Sequence, residues 1–466
     1  LLSLRALKMR SILMSALLCG LVFLISVNTF SQNSVWAWGS DWEQEIGNPS
    51  ASFSNPLPLW VYDLSNASKL STGYYHSLVL KADGSVWQWG HCLEGGQLPC
   101  YQIPEKVQNL TNIAAVSAGG FHSLALKDDG TVWAWGINEH GQLGDGTIED
   151  KSTPIQVMNL INVIAIAGGA GHSMALENDG SLWAWGNNAN GRLGNGTNED
   201  KNTPVKVLNL EDVVAVDGGA AHSLALKNDG TVWAWGGNSS GQLGDGTNED
   251  KNVPVKVLNL TNIIAISGGG WHSLALKNDG TVWAWGANSH GQLGDGTIFI
   301  SNIPVHVMNL TDVKDISGGG RHSVALKNDG AVWTWGNNDY GVLGNGTSGT
   351  PSPVPVQVLN LSDVSNISAG FDFSVAISAR EIIPPAIDAI KELHDPFRLK
   401  IKGNNFRNDA EIWVVGYPWD NFSYKSESLI ILKKGKDLKN MFPKGLKQDI
   451  LIVNPDSSCV IAYFTR

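Results

Sequence analysis

One dipeptide sets the frame for this chain. Trp-Gly recurs at Trp38, Trp89, Trp135, Trp185, Trp235, Trp285 and Trp335, at intervals of 51, 46, 50, 50, 50 and 50 residues. A second marker, His-Ser, recurs at His76, His122, His172, His222, His272 and His322, and Phe373-Ser374 is a seventh copy with Phe in the His place. A fixed period near 50 residues means that one structural unit is stacked on copies of itself, as in a solenoid, a propeller or an array.

The unit itself is β. From Leu258 it reads LNLTNIIAISGGGWHSLALKNDGTVWAWGANSHGQLGDGT. Ile263 to Ile266 is β-branched and apolar. His272 to Leu276 and Thr281 to Trp285 flank Asn278-Asp279-Gly280, a tight-hairpin signal. The Pro-Val-x-Val stretch, as at Pro254 to Val257, offers a fourth strand beginning at its proline. Four short antiparallel strands in 50 residues make a propeller blade. Fifty-three glycines in 466 residues argue in the same direction, because so much glycine weakens helix interiors.

The ends of the array fix its closure. The first Trp-Gly strand, Ser34 to Gly39, has no His-Ser strand before it, and the last His-Ser-type strand, Ser374 to Ser378, has no Trp-Gly strand after it. Pairing the two completes a seventh blade, whereas an open array leaves both as exposed edges. Fourteen of the 19 tryptophans fall in seven Trp-x-Trp pairs. Alternation puts both rings of a pair on one face of the strand, so the expectation is packing between blades.

The rest of the chain divides around this array. Arg5, Lys8 and Arg10 precede an apolar run, Ile12 to Val27, of 16 residues; a spanning helix needs roughly 20. Thr29 and Ser31 then put small residues before Gln32. Residues 1–31 therefore read as a secretory signal peptide starting at Met9, with a retained N-terminal anchor as the alternative and no later membrane span. The expected location is secreted, periplasmic or cell surface. Cys92, Cys100 and Cys459 follow the leader, enough for one disulfide. Aligned on Trp-Gly and Gln-Leu, Cys92 stands where Asn138 does and Cys100 where Asp145 does. A Cys92–Cys100 bridge is expected to replace that polar loop closure.

Charge excludes one class of partner. Residues 32–378 hold 15 Lys plus Arg against 32 Asp plus Glu, a net of −17, while residues 379–466 are net +3. An acidic array repels phosphate, so no nucleic-acid partner is expected.

No catalytic or metal constellation emerges. Six symmetry-related histidines do not converge on one zinc ion, and the reading is buried imidazoles hydrogen-bonded to neighbouring loops. Gly171-His172-Ser173-Met174-Ala175 lacks the second glycine of a nucleophile elbow. The GDGTNEDKN loops cluster Asp245, Asn248, Glu249 and Asp250 without EF-hand spacing, so turn chemistry is expected over calcium. No phosphate-cradling loop is present. No catalytic residue, metal or cofactor is assigned.

The repeats also serve as an internal comparison. Positions shared by every blade are held by the fold, and those that differ are free to carry specificity. The residue before His-Ser runs Tyr75, Phe121, Gly171, Ala221, Trp271, Arg321 and, in the last blade, Asp372. The loop after Trp-Gly varies as well, through Glu139-His140, Ser289-His290 and Asp339-Tyr340. Tyr, Trp and Arg anchor interfaces. The expected binding face therefore bears Tyr74, Tyr75, Phe121, Trp271 and Arg321, with His140, His290 and Tyr340 beside them; neutral drift is the competing account of the same variation.

The recurring DGxVWxWGxNxxGQLGxG resembles the regulator of chromosome condensation repeat over residues 34–378. The resemblance implies a seven-bladed propeller, in agreement with the count. Members of that family include a small-GTPase exchange factor that binds chromatin, a UV-B photoreceptor and a secreted bacterial inhibitor of β-lactamase. The leader and acidic charge place this chain nearest the secreted bacterial type. Beyond a linker at 379–386, residues 387–466 resemble an immunoglobulin-like IPT/TIG β-sandwich through Ile401-x-Gly403-x-Asn405-Phe406 and Val453-Asn454-Pro455-Asp456.

The expectation is thus an all-β chain, a closed seven-bladed propeller followed by a small β-sandwich. It is monomeric, secreted and non-catalytic, and binds a protein or surface glycan through one loop face. The alternatives are an inhibitor of a secreted enzyme, a propeller hydrolase or lyase, and, opposed by the leader, a guanine-nucleotide exchange factor.

Overall fold

The structure is a computed structural model that describes residues 33–48, 51–90 and 101–379, and eight strands between Ala386 and Thr465. The leader and the Cys92–Cys100 pair lie outside the described residues. Seven four-stranded antiparallel sheets form the propeller. Blades 1 to 6 each take four consecutive strands. Blade 5, for example, consists of Ile263–Gly268, His272–Lys277, Val282–Gly286 and Ser301–His306.

Blade 7 closes the ring as the chain ends require. It combines Val364–Ala369 and Phe373–Ser378 with Ser34–Ser40 and Ser54–Ser65. The joint is an unbroken register from Ser34 against Ser378 to Gly39 against Phe373. The first and last strands of the array thus pair inside blade 7 and neither is left as an open edge, which is how a propeller avoids exposed strand edges.

The fourth strands begin earlier than their prolines suggest. The outer strand of blade 4 is Lys251–Lys256, with Pro254 inside it. The register jumps from Ala234 against Val255 to Gly236 against Lys251, so Pro254 sits in a bulge. A proline lacks the N–H a ladder needs, and a bulge on an outer edge strand demands none.

The tryptophan pairs divide between two environments. Trp285 is fully buried and donates its indole N–H to the Gln242 carbonyl of the preceding blade at 2.8 Å. Trp235 reaches Arg192 O at 2.8 Å, Trp185 reaches Gln142 O at 2.9 Å, and Trp38 reaches Val342 O across the closure at 2.8 Å. Leu243, Val257 and Ala275 complete the apolar layer around Trp285. The first ring of each pair is only half-buried in blades 1 to 6. In blades 1, 2, 4 and 5 a lysine from the neighbouring strand covers it, as Lys127 over Trp133 at 4.3 Å and Lys277 over Trp283 at 5.0 Å, while in blade 3 Glu177 accepts the Trp183 indole N–H at 3.0 Å.

The histidines are partnered by the next blade's serine rather than by a loop. His122 Nε2 lies 2.8 Å from Ser173 Oγ, His172 Nε2 2.8 Å from Ser223 Oγ, and His222 Nε2 2.9 Å from Ser273 Oγ. In blades 3 to 6 the serine donates its own hydrogen to a loop carbonyl, as Ser223 to Arg192 O at 2.8 Å and Ser273 to Gln242 O at 2.9 Å. The serine must therefore accept from Nε2–H, which fixes the neutral tautomer. Strands repeated about 50 residues apart bring each His opposite the Ser of the following copy, and a reading confined to one repeat misses it.

The chain of bridges breaks once. Blade 7 has Phe373 in the histidine place, and Ser77 Oγ of blade 1 is left buried with no hydrogen-bond partner. Removing a partner from a buried polar group costs about 1–3 kcal/mol, while removing the orphan itself does not. Ser77→Ala is therefore expected to leave the urea midpoint unchanged or raise it, and Ser223→Ala to lower stability by about 1–3 kcal/mol. Equal losses in both variants would refute the bridge.

The eight strands between Ala386 and Thr465 form two further antiparallel sheets of four strands each. One contains Ala386–Leu393, Arg398–Asn404, Leu429–Leu432 and Phe422–Ser426, and the other Tyr417–Pro418, Glu411–Val414, Lys447–Val453 and Cys459–Thr465. Among the described residues no helix is long and apolar enough to cross a membrane.

Candidate functional site

In an antiparallel meander the connections between strands 1 and 2 and between strands 3 and 4 leave at the same end. Every residue chosen from repeat differences lies in one of these connections, so all fall on one face. Hydrogen bonds tie the two loop sets together within a blade. Ala287 N–H donates to Trp271 O at 2.8 Å, and Asn337 N–H to Arg321 O at 2.9 Å.

The aromatic residues meet at the mouth of the central channel. Tyr74 lies 5.8 Å from Phe121, 6.2 Å from Tyr75 and 4.9 Å from Phe371, centroid to centroid. Trp271 of blade 5 reaches across blade 6 to Phe371 at 6.2 Å. It can do so because Gly320 leaves room: a Cβ there would stand 2.7 Å from the Phe371 ring. Phe371 was missed in the sequence. It aligns with Tyr74 in a row that otherwise reads Gly120, Ala170, Ala220, Gly270 and Gly320, and two aromatics among small residues were the available signal.

The channel beneath is lined by glycines, including Gly119, Gly169, Gly219, Gly269 and Gly319. Its free volume is about 60 Å³, room for a few waters. A drug-sized ligand takes roughly 300 Å³ or more. The chemistry of this face is therefore on its rim.

The rim carries charge beside its rings. Arg321 is exposed next to Asp372, whose carboxyl is held above its usual range, chiefly by burial. Glu45 is pushed up to about 8 and Asp41 to about 6, both by burial. Burial also raises Tyr74 and lowers Arg192, whose guanidinium donates to Ala220 O at 3.0 Å and to Asn190 at 2.9 Å. His140 pairs with Asp200 of the next blade at 2.9 Å, and His290 contacts Ser289 at 2.9 Å within its own loop. Tyr340 is exposed on the blade 6 loop.

The acidic loops are occupied by their own backbone. Asp245 Oδ1 accepts from Thr247 N–H at 2.9 Å, and Asp250 Oδ1 from Asn238 N–H at 2.7 Å. Among the described residues no cluster of His, Cys, Asp or Glu is arranged to hold a metal ion. Asn138 and Asp145, the counterparts of Cys92 and Cys100, do touch, Nδ2 to Oδ1 at 3.3 Å.

A family model described as the RCC1-like domain matches residues 6–270, more than half of the chain. The chain belongs to this family. Models of the regulator of chromosome condensation (RCC1) repeat match 279–326 and 329–377, and again 263–292 and 313–342. Among solved structures, Prp20p from Saccharomyces cerevisiae is 23% identical with a TM-score of 0.68, over 76% of this chain and 93% of that one. Human WBSCR16 is 24% identical with a TM-score of 0.67, over 75% and 100%. At such identities the likeness shows the RCC1-like fold. Prp20p is described by its binding to Gsp1p and histones, and yeast RCC1 (Prp20) has been crystallised with Kap60. No curated protein matches the sequence.

Proposed function

We propose that this RCC1-like propeller is a non-catalytic binding protein that recognises a protein or surface glycan through its rim face. One observation carries the reading. Tyr74, Tyr75, Phe121, Trp271 and Phe371 are gathered, half-buried, at one end of the channel with Arg321 exposed beside them. Such residues dominate the energetics of interfaces, and each is worth roughly 2 kcal/mol or more when it is a hot spot. The RCC1-like relatives described by protein partners support the same reading. The secretory leader and the acidic propeller support a secreted, periplasmic or cell-surface setting of the secreted bacterial type. The IPT/TIG resemblance, together with two four-stranded sheets, supports a C-terminal sandwich that serves as spacer or contact module. Inhibition of a secreted enzyme is the same kind of recognition with an enzyme as its object.

The test is capture from extracts and cell-surface fractions. Wild-type protein should retain a partner that Tyr75→Ala, Phe121→Ala, Trp271→Ala and Arg321→Ala in combination does not, with an unchanged circular dichroism spectrum. A partner held equally by both proteins would move the site away from this rim. No partner for either would sink the binding reading.

A further inference from the structure

A second surface on the same face departs from the repeat. Blades 2, 3 and 4 end their strand 3–4 loops in acidic tips, Glu149-Asp150, Glu199-Asp200 and Glu249-Asp250. The aspartates are structural, each accepting the N–H of its loop asparagine at 2.7 Å. The glutamates are 78–81% exposed and each pairs with the lysine two residues on, Lys151, Lys201 or Lys251, at 3.0–3.1 Å, which leaves every Glu-Asp-Lys tip with two carboxylates against one ammonium. Blade 5 keeps the frame of this loop. Asn288 still donates to Thr297 O at 3.2 Å, and Thr297 N–H still donates to Asp295 at 2.9 Å. In place of Asn-Glu-Asp, however, it carries Ile298-Phe299-Ile300, exposed by 58, 75 and 57%.

Three consecutive exposed apolar residues are a defect unless they serve a purpose. Here the replacement also forfeits the aspartate cap that three sister blades keep. Nothing in the loop frame requires the change, since the same backbone carries a polar tip elsewhere. Blade 7 exposes a second apolar tip on this face, Trp42 and Phe53, 65 and 68% exposed with rings 5.5 Å apart. The face is thus divided, apolar tips on blades 5 and 7 and acidic tips on blades 2 to 4, where Ile148 of blade 2 is a single exposed apolar residue at 65%.

The geometry points to a two-part docking surface for a cationic amphipathic segment of a partner protein. The Ile298-Phe299-Ile300 tip meets its apolar side, and the glutamate tips meet its basic residues. Charge complementarity selects this occupant over a lipid surface, because the net-acidic tips of blades 2 to 4 lie on the same face, with the blade 4 loop in contact with blade 5 through Asn248 and Asn302 at 3.0 Å, and oppose an anionic membrane. The inference rests on the reading of a binding propeller and adds the partner's chemistry.

The probe is a fluorescein-labelled amphipathic Leu/Lys peptide, compared by anisotropy with a scrambled peptide of the same composition. Wild-type protein should prefer the amphipathic peptide by roughly tenfold or more, a preference typical of one good anchor. The combined variant Ile298→Asn, Phe299→Glu and Ile300→Asp gives blade 5 the tip of blades 3 and 4, so it should fold, and it should lose the preference. Glu149→Gln, Glu199→Gln and Glu249→Gln together should weaken both peptides and flatten the salt dependence. A tip-swapped protein that binds like wild type overturns the inference. If the four-alanine rim variant alone loses the peptide, the inference fails and the binding reading stands. Neither peptide binding, or preference for neutral phosphatidylcholine vesicles over both, also overturns it.

Discussion

Gly219→Ala should destabilise the propeller by about 3 kcal/mol or more, at the severe end of overpacking substitutions. Gly219 has an ordinary backbone conformation, so alanine meets no torsional objection. The objection is steric. A Cβ would overlap the imidazole of His222 and stand 2.6 Å from the Gly269 carbonyl of the next blade. His222 cannot retreat, because it is fully buried and its Nε2 is held by Ser273. The carbonyl cannot retreat without moving blade 5. Gly84→Ala supplies the contrast. Gly84 has φ +77° and nothing within 4 Å of its Cβ position, so only the left-handed conformation objects, at about 1–2 kcal/mol. Urea denaturation of both variants separates the two causes. If Gly84→Ala costs as much as Gly219→Ala, the close approach of blades around the channel is not what the glycines provide.

The same close approach explains how much of this molecule could be read in advance. Each blade is stabilised by contact with two neighbours of nearly the same sequence, so counting copies counts blades. The unpaired Ser34 and Ser378 strands announce their own closure for the same reason. What escaped was anything linking one copy to the next. The His-Ser bridge joins residues 47 to 52 positions apart in sequence that look, in any single repeat, like neighbours on one strand. The Pro254 bulge escaped because a proline signals a strand limit more often than an interior irregularity. Phe371 escaped because the comparison stopped at the column before His-Ser, one residue short of the row that holds Tyr74. The Ile298 tip was open to the same comparison, since Asn-Glu-Asp in blades 3 and 4 lies directly against it. The residues that position the rim were legible. The partner is not, because a propeller's sequence records its own packing far more heavily than its ligand's.

The histidine ring should make the propeller collapse in acid over a narrow range. Burial holds His122 and His272 at about 4, His222 and His322 at about 3, and His172 well below the usual imidazole value. A buried neutral imidazole favours the folded state above the unfolded pKa near 6.5. That contribution is lost as pH falls toward the folded value, because the unfolded chain takes up the protons first. Buried carboxyls act in the opposite sense. Asp41, Asp217 and Asp315 stand at about 6 and Glu45 at about 8, all raised by burial. The folded state therefore holds protons there that the unfolded chain has released. Between pH 6 and 4.5 the two sets nearly cancel, five imidazoles against these four carboxyls and Asp372, which burial also raises, and the slope is at most about 1.4 kcal/mol per pH unit. Below pH 4 both states hold the carboxyl protons and the opposition ends. His172, His222 and His322 remain neutral in the fold, and the slope rises to about 4 kcal/mol per pH unit. Asp129, Asp229 and Asp279, whose carboxyls are lowered by hydrogen bonds from their turn threonines, add to the loss in the same direction. Urea midpoints should therefore fall gently from pH 6 to 4.5 and steeply between pH 4 and 3. His222→Phe copies into blade 4 what Phe373 already does in blade 7. It leaves Ser273 its bond to Gln242 O, so it should cost less near neutral pH than Ser223→Ala does, yet reduce the slope below pH 4 by about one proton. A midpoint that stays level to pH 3, or a slope unchanged by His222→Phe, would show that the ring of buried imidazoles does not set the acid limit.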